Sequence, residues 1–328
     1  MTDYTQISKS DWLSLARTFY AHLFAEIAGF NEADWHSETR YLGWNCKDLV
    51  NHMTSAVTVN FKTLIQMALD GDPVPPLGFN LFLRNANEVA RRKNKTIPET
   101  LEEFKKETNQ ILEQLEALSE EQWLLPAFFF IGDIDIRMLF LVQFADNLVH
   151  ERDLLMANKR WQGFDTRFVE PLLDWFMRVF HPASFRPEKN GGEAATIQYH
   201  ITGTGGGDWV LTIKDYTGTV SPGITSNADA TVRVSVEHLI STSLARSAPF
   251  IGKLARALHF LVKKEKKEDF TAKITGIVAS ITALLGGKIK ITGDKKKANK
   301  VTLKWFWHFW QRTEQTQENI LRSQYNKG

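Results

Sequence analysis

Cysteine is almost absent from the 328-residue chain: Cys46 stands alone, so no internal disulfide can form and a reducing compartment is the natural setting. Net charge is equally scarce. Forty basic residues against thirty-eight acidic ones leave +2, which excludes the broad basic footprint of a nucleic-acid binder. There is no uninterrupted apolar run of the ~20 residues that a spanning helix needs. The most apolar stretch, Phe128 to Phe144, is interrupted by Asp133, Asp135 and Arg137. The start, Met-Thr-Asp-Tyr-Thr-Gln, has neither the basic opening nor the apolar core of a signal peptide, so a cytoplasmic protein is expected. The glycine run Gly203 to Gly207 is followed by no Lys-Ser/Thr and no helix pattern, which argues against a phosphate cradle and for a hairpin loop.

What remains is an ordinary globular composition, 43% hydrophobic and 24% charged. The length exceeds what one hydrophobic core usually serves, so two domains are expected. Residues 10–28 place Trp12, Leu15, Phe19, Leu23 and Ile27 on one helical stripe, stopped by Gly29. Asn45, with Asp48 three residues on, opens a second helix whose apolar face is Leu49, Met53, Val57, Phe61, Leu64 and Ala68. Pro73-Val-Pro-Pro76 marks a loop, and Asn80 to Arg92 read as helical, with Arg91-Arg-Lys93 as a solvated helix end. Thr96-Ile-Pro-Glu99 combines a capping box with a first-turn proline before Leu101, Phe104, Ile111, Leu115 and Leu118. Asp133 or Asp135 caps a further helix whose apolar positions wrap widely round it, so it belongs at the centre. Four long helices make a bundle the economical architecture for residues 1–187.

From Glu188-Lys-Asn-Gly-Gly-Glu193 onward the period changes to alternation, and residues 188–328 are expected to form a small mixed α/β domain. Ile197, Tyr199 and Ile201 predict one strand, Trp209, Leu211 and Ile213 a second, and Val232, Val234 and Val236 a third. Glu237 to Leu244 predicts a helix and Gly287 to Asp294 another strand. A helical insertion at about 245–285 and a C-terminal helix bearing Trp305-Phe-Trp-His-Phe-Trp310 lie outside a compact pattern. They either cover the sheet or, with basic residues flanking an apolar face, form a lipid pocket or a membrane-surface element.

Chemistry concentrates in Asp146-Asn-Leu-Val-His-Glu-Arg-Asp153. Asp146 and His150, four residues apart, project from one helix face, where they serve either as a hydrogen-bonded pair or as two ligands of one divalent ion. His52 flanks the stripe of the second helix, as a buried histidine bonded to a carbonyl or as a third ligand. Asp153, one turn past His150, is either a hydrogen-bond partner for a ligand histidine or one half of a salt bridge to Arg152 or a neighbouring helix.

The segment Gly43-Trp-Asn-Cys-Lys-Asp-Leu-Val-Asn-His52, preceded by Trp35, and the segment Asp146 to Asp153 resemble the two signatures of the mycothiol-dependent maleylpyruvate isomerase family, within the DinB-like superfamily. The Trp-x-Leu-x-Ile strand and the Gly-Lys-Ile-Lys-Ile-Thr-Gly-Asp ending are similar to a sterol carrier protein type 2 domain, which members of that family carry C-terminally. The resemblance implies an α bundle followed by an α+β domain, and a divalent metal, usually zinc, on His52, Asp146 and His150. It implies a low-molecular-weight thiol, mycothiol or an equivalent, at an open metal position, attacking an electrophilic small molecule by S-transfer or thiol-assisted isomerisation. Aspartate at position 146 departs from the family's usual glutamate, being one methylene shorter. A maleylpyruvate-like substrate would need a cationic clamp, for which Arg40, Arg84, Arg137, Arg233 and Arg246 are candidates. The alternative is a carrier that holds a lipid in the C-terminal domain while the metal staples the bundle. Neither reading involves nucleic acid as a partner.

Overall fold

The computed structural model describes residues 4–41, 43–73, 81–129, 132–183, 193–215, 217–243 and 289–298. It divides into two compact units that part between Gln162 and Gly163. The expected insertion at about 245–285 and the Trp305 helix lie outside the described residues, as does Arg246.

The first unit is helical. Helix α1 (Lys9–Ala28) is capped by Ser8, whose hydroxyl accepts the Asp11 N–H, and it buries Trp12, Phe19, Leu23 and Ile27. A short α2 (Glu32–His36) follows. Helix α3 (Cys46–Ser55) starts in a full capping box between Asn45 and Asp48. It continues through a π-helical stretch, Ala56–Phe61, into α4 (Lys62–Leu69). The wider turn rotates the later residues slightly, yet the predicted stripe from Leu49 to Ala68 is buried throughout. After α5 (Leu81–Arg92), α6 (Ile97–Ala117) opens on the Thr96/Glu99 capping box. A brief α7 (Glu120–Trp123) leads into a hairpin of β1 (Pro126–Phe129) and β2 (Gly132–Asp135). Asp135 then caps α8 (Ile136–Ala157), its carboxylate accepting the Met138 N–H at 2.6 Å. Helix α8 is buried nearly all round, as a central helix should be.

One expectation fails here. Arg92 is not part of a solvated end: it is 1% exposed and pairs with Glu88 at 2.5 Å and Glu103 at 3.0 Å, while Arg91 stays at the surface. Two carboxylates are what allow a guanidinium to be buried there.

The second unit begins with α9 (Thr166–Trp175), which runs through another π-helical stretch, Phe176–Phe180, into α10 (His181–Ala183). Its sheet has the order β5-β4-β3-β6-β7. The strands are β3 (Ala195–Thr202), β4 (Gly207–Lys214), β5 (Thr217–Pro222), β6 (Ala230–Ser235) and β7 (Ile289–Gly293). Strands β3, β4 and β5 form an antiparallel meander, β6 lies parallel to β3, and β7 closes antiparallel to β6. In this register Tyr199 sits opposite both Trp209 and Val232, which brings the predicted apolar alternations onto one buried face. The turn from β3 to β4 needs glycine: a Cβ on Gly206 would come 2.1 Å from the Ile201 carbonyl oxygen. Val236 opens α11 (Val236–Ser243) instead of ending β6, and α12 (Lys295–Ala298) follows β7.

The division of the chain differs from the expected break after residue 187. Residues 163–183 belong with the sheet, because the Trp209 indole N–H donates to the Asp174 carboxylate at 3.1 Å and the His181 ring meets Tyr199 edge-on at 5.7 Å. Composition marks the glycine-rich segment as a break, but packing assigns α9 to the sheet.

Candidate metal centre

Helices α3 and α8 bring His52, Asp146 and His150 together. One donor atom from each lies within 4.8 Å of the other two. The His150 Nε2 is 3.0 Å from the Asp146 carboxylate, and the His52 and His150 rings meet at right angles with centroids 4.9 Å apart. Local sequence explains two of the three positions, since the i, i+4 spacing on α8 stacks Asp146 and His150 on one face. The third depends on α3 packing against α8, which sets His52 opposite them.

The environment is desolvated. His150 is fully buried and His52 is half-buried, whereas Asp146 keeps 27% of its side chain exposed. Burial, reinforced by the neighbouring His150, pushes the His52 pKa down to about 3, so His52 is a neutral imidazole at pH 7. For His150 burial opposes the charge, yet the Asp146 carboxylate and its hydrogen bond outweigh it and raise the pKa. Asp146 responds inversely: burial works against its charge, and His150 holds it below the usual carboxylate range.

The donor set suits a borderline divalent ion. Two imidazoles and a carboxylate are typical of catalytic zinc, with three protein ligands and an open position. The ligands of a tetrahedral zinc with ~2.1 Å bonds lie ~3.4 Å apart, so donors gathered within 4.8 Å need only small side-chain rotations to converge. His52 supplies a second indication, because its buried Nδ1 has no hydrogen-bond partner. A buried donor or acceptor left unpaired costs ~1–3 kcal/mol, which a bound group next to it would relieve.

Asp153 takes a different position from one of those expected. It does not bond to His150: its Oδ1 accepts from Arg40 at 3.2 Å and from Arg152 at 3.1 Å, and Oδ2 is buried without a partner. The side chains one turn apart on α8 diverge because two arginines claim the carboxylate. The group that reaches the far nitrogen of His150 is Tyr41, with Oη 3.3 Å from Nδ1. Trp44, from the same loop, lies against the His52 ring at 5.1 Å. Below the site α8 carries a further polar pair that the apolar pattern concealed: Asn147 donates to Tyr20 Oη at 2.6 Å and accepts from Gln143 at 3.0 Å.

Of the candidate clamp arginines, Arg40 reaches this neighbourhood through Asp153. Arg84 donates to the Val59 carbonyl at 2.5 Å, and Arg137 pairs with Asp135 at 2.8 Å. Arg233 is exposed on β6 in the other unit. Cys46 is fully buried at the start of α3, and burial pushes its pKa up to about 12, so it is no nucleophile.

The two signature segments, now joined in space, coincide with a family model: residues 16–155 match the mycothiol maleylpyruvate isomerase N-terminal domain. The chain is also similar to the crystal structure of the mycothiol-dependent maleylpyruvate isomerase, with a TM-score of 0.50 at 13% identity over 75% of this chain and 93% of that one. A mutant of the isomerase gives a TM-score of 0.51 with the same identity and coverage. A likeness this remote in sequence concerns the fold, and its extent carries the α then α+β order beyond the bundle. No curated protein matches the sequence. Among the described residues no helix is long and apolar enough to cross a membrane.

Proposed function

We propose that this chain is a metal-dependent enzyme that uses a low-molecular-weight thiol, mycothiol or an equivalent, against an electrophilic small molecule, by S-transfer or by thiol-assisted isomerisation. The observation that carries the reading is the convergence of His52, Asp146 and His150 in a bundle that matches the isomerase family's N-terminal model, with the His52 Nδ1 left unpaired. His52 and His150 would hold the ion as neutral ligands and Asp146 would offset one unit of its charge. Zinc held there would supply a Lewis-acidic position that keeps a thiol sulfur deprotonated at neutral pH. The chain's own part is to exclude water around that position with Trp44 and Tyr41, and to leave the Asp146 side open, where that carboxylate is partly exposed. Arg40 is the cation best placed to attract a carboxylated substrate.

A second reading, a lipid carrier with a structural metal, draws on Tyr199, whose buried hydroxyl has no partner on the apolar face of the sheet. One experiment separates the two. Metal content is measured for the wild type, His52→Ala and His150→Ala purified without chelator, and the cobalt-substituted wild type is titrated with thiols. Stoichiometric metal lost in both variants, with a thiol-induced change in the cobalt spectrum, supports the enzyme. A metal-free wild type ends the metal reading, and a cobalt spectrum indifferent to thiols favours the carrier.

A further inference from the structure

The loop between α2 and α3 is tightly built, and it lies over both histidines. The Thr39 N–H and hydroxyl donate to the Trp44 carbonyl at 3.0 and 2.8 Å, and the Trp44 N–H donates to the Tyr41 carbonyl at 3.1 Å. The Cys46 N–H donates to the Ser37 carbonyl at 3.0 Å, and Glu38 and Asn45 form a bridge, so the base of the loop is tied as well. Gly43, at φ +78°, supplies the left-handed turn that the closure requires. The result places three side chains in sequence along the site. Arg40 donates to Asp153 one turn past His150, Tyr41 Oη reaches His150 Nδ1, and Trp44 covers His52. Tyr41 and Trp44 also pack on one another, with ring centroids 5.5 Å apart.

We infer that Tyr41 is a positioning residue for the metal ligand His150, held in place by the Arg40–Trp44 loop. The inference rests on the proposed metal site. With Nε2 on the ion, the remaining ring proton of His150 must sit on Nδ1, and Tyr41 Oη is the acceptor at that nitrogen. Metal-binding histidines commonly give this second proton to a carboxylate, a carbonyl or water. Asp153, one turn further along α8, is taken up by Arg40 and Arg152, and Tyr41 Oη lies 3.3 Å from Nδ1. The same loop thus holds the His150 ring by a hydrogen bond and the His52 ring by a tilted aromatic contact.

Tyr41→Phe removes the acceptor and retains the ring. Zinc affinity is measured by chelator competition, alongside the thermal midpoint of the chelated protein and the His150 Nδ1 proton resonance of the zinc-loaded protein. The expected result is an affinity ~10–100-fold weaker than wild type, with the chelated protein still folding in a single transition and the Nδ1 proton shifted or lost to exchange. Unchanged affinity, or a chelated variant that shows no folding transition, would overturn the positioning role. Failure of the metal site itself reads differently, because the wild type would then bind no zinc.

Discussion

The two units bury polar groups in different densities. In the sheet, alternation gives β3, β4 and β6 an apolar inner face of Ile197, Tyr199, Ile201, Trp209, Leu211, Ile213, Val232 and Val234, and the buried Gln198 on the other face bonds to backbone groups. In the bundle, α8 buries His150, Glu151, Arg152 and Asp153 consecutively, with Asn147 and Gln143 one and two turns before. A strand has two faces and can discard polar residues to one of them. A central helix has no outer face, so each charge on it must find a partner. The difference teaches where to look for chemistry: the sheet unit buries Asp174 beside Arg178, but the run of consecutive buried charges lies in the unit with the candidate site.

The largest expected break in this comparison comes from Asp153→Ala. It leaves Arg40 and Arg152 near 10% exposure or less with their shared carboxylate gone, and should destabilise the bundle by ~3–5 kcal/mol in urea unfolding. A loss under ~1 kcal/mol would mean the cluster is hydrated and the contrast with the sheet overstated.

Acid should then separate the units. Burial pushes the His181 pKa down to about 3, so the unfolded chain binds this proton below ~6.5 while the folded sheet unit does not. Its stabilising contribution is complete above pH ~6.5 and is lost as pH falls toward 3, with a slope approaching ~1.4 kcal/mol per pH unit. In the metal-free bundle the lowered pKa of His52 and the raised pKa of His150 act in opposite directions, so their joint slope is shallower. Hydrogen exchange of β3 amides at pH 7 and pH 5 would reveal the loss, and His181→Leu should flatten it. An unaltered slope in that variant would assign the acid sensitivity elsewhere.

A smaller effect is expected from Trp209→Phe, which strips Asp174 of its indole donor and leaves the Arg178 pair at 3.2 Å in place. The cost should be ~1–3 kcal/mol, read as a lower unfolding midpoint of the sheet unit with unchanged zinc content. Smallest is Thr96→Ala in the bundle, losing the cap of α6 for ~1 kcal/mol, again without effect on metal. Zinc loss in either variant would show that stability and site are not separable by unit.

Much of this was readable beforehand where the cause is local. The caps at Asn45 and Thr96, the stripe from Leu49 to Ala68 and the alternations of β3, β4 and β6 follow from spacing within a few residues. The hairpin of β1 and β2 is not legible, because Pro126–Phe129 shows no alternation and Gly132–Asp135 is too short for its own to register. Strand β5 was missed because Thr217-Gly-Thr-Val-Ser-Pro222 has little apolar content. The burial of Arg92 is not legible because its partner Glu103 lies on another helix.

The centre divides along the same line. Sequence alone determined that Asp146 and His150 share a helix face, since the 3.6-residue period fixes it regardless of surroundings. It also put the shorter acid at position 146, and resemblance pointed to His52. Only the tertiary structure decided that α3 delivers His52 to within 4.8 Å, that Asp153 turns to Arg40 and Arg152, and that Tyr41 takes up His150 Nδ1. Those choices were settled by competition among groups from three separate segments. Which acceptor a buried donor reaches is a property of the packed chain, and no spacing along one helix encodes it.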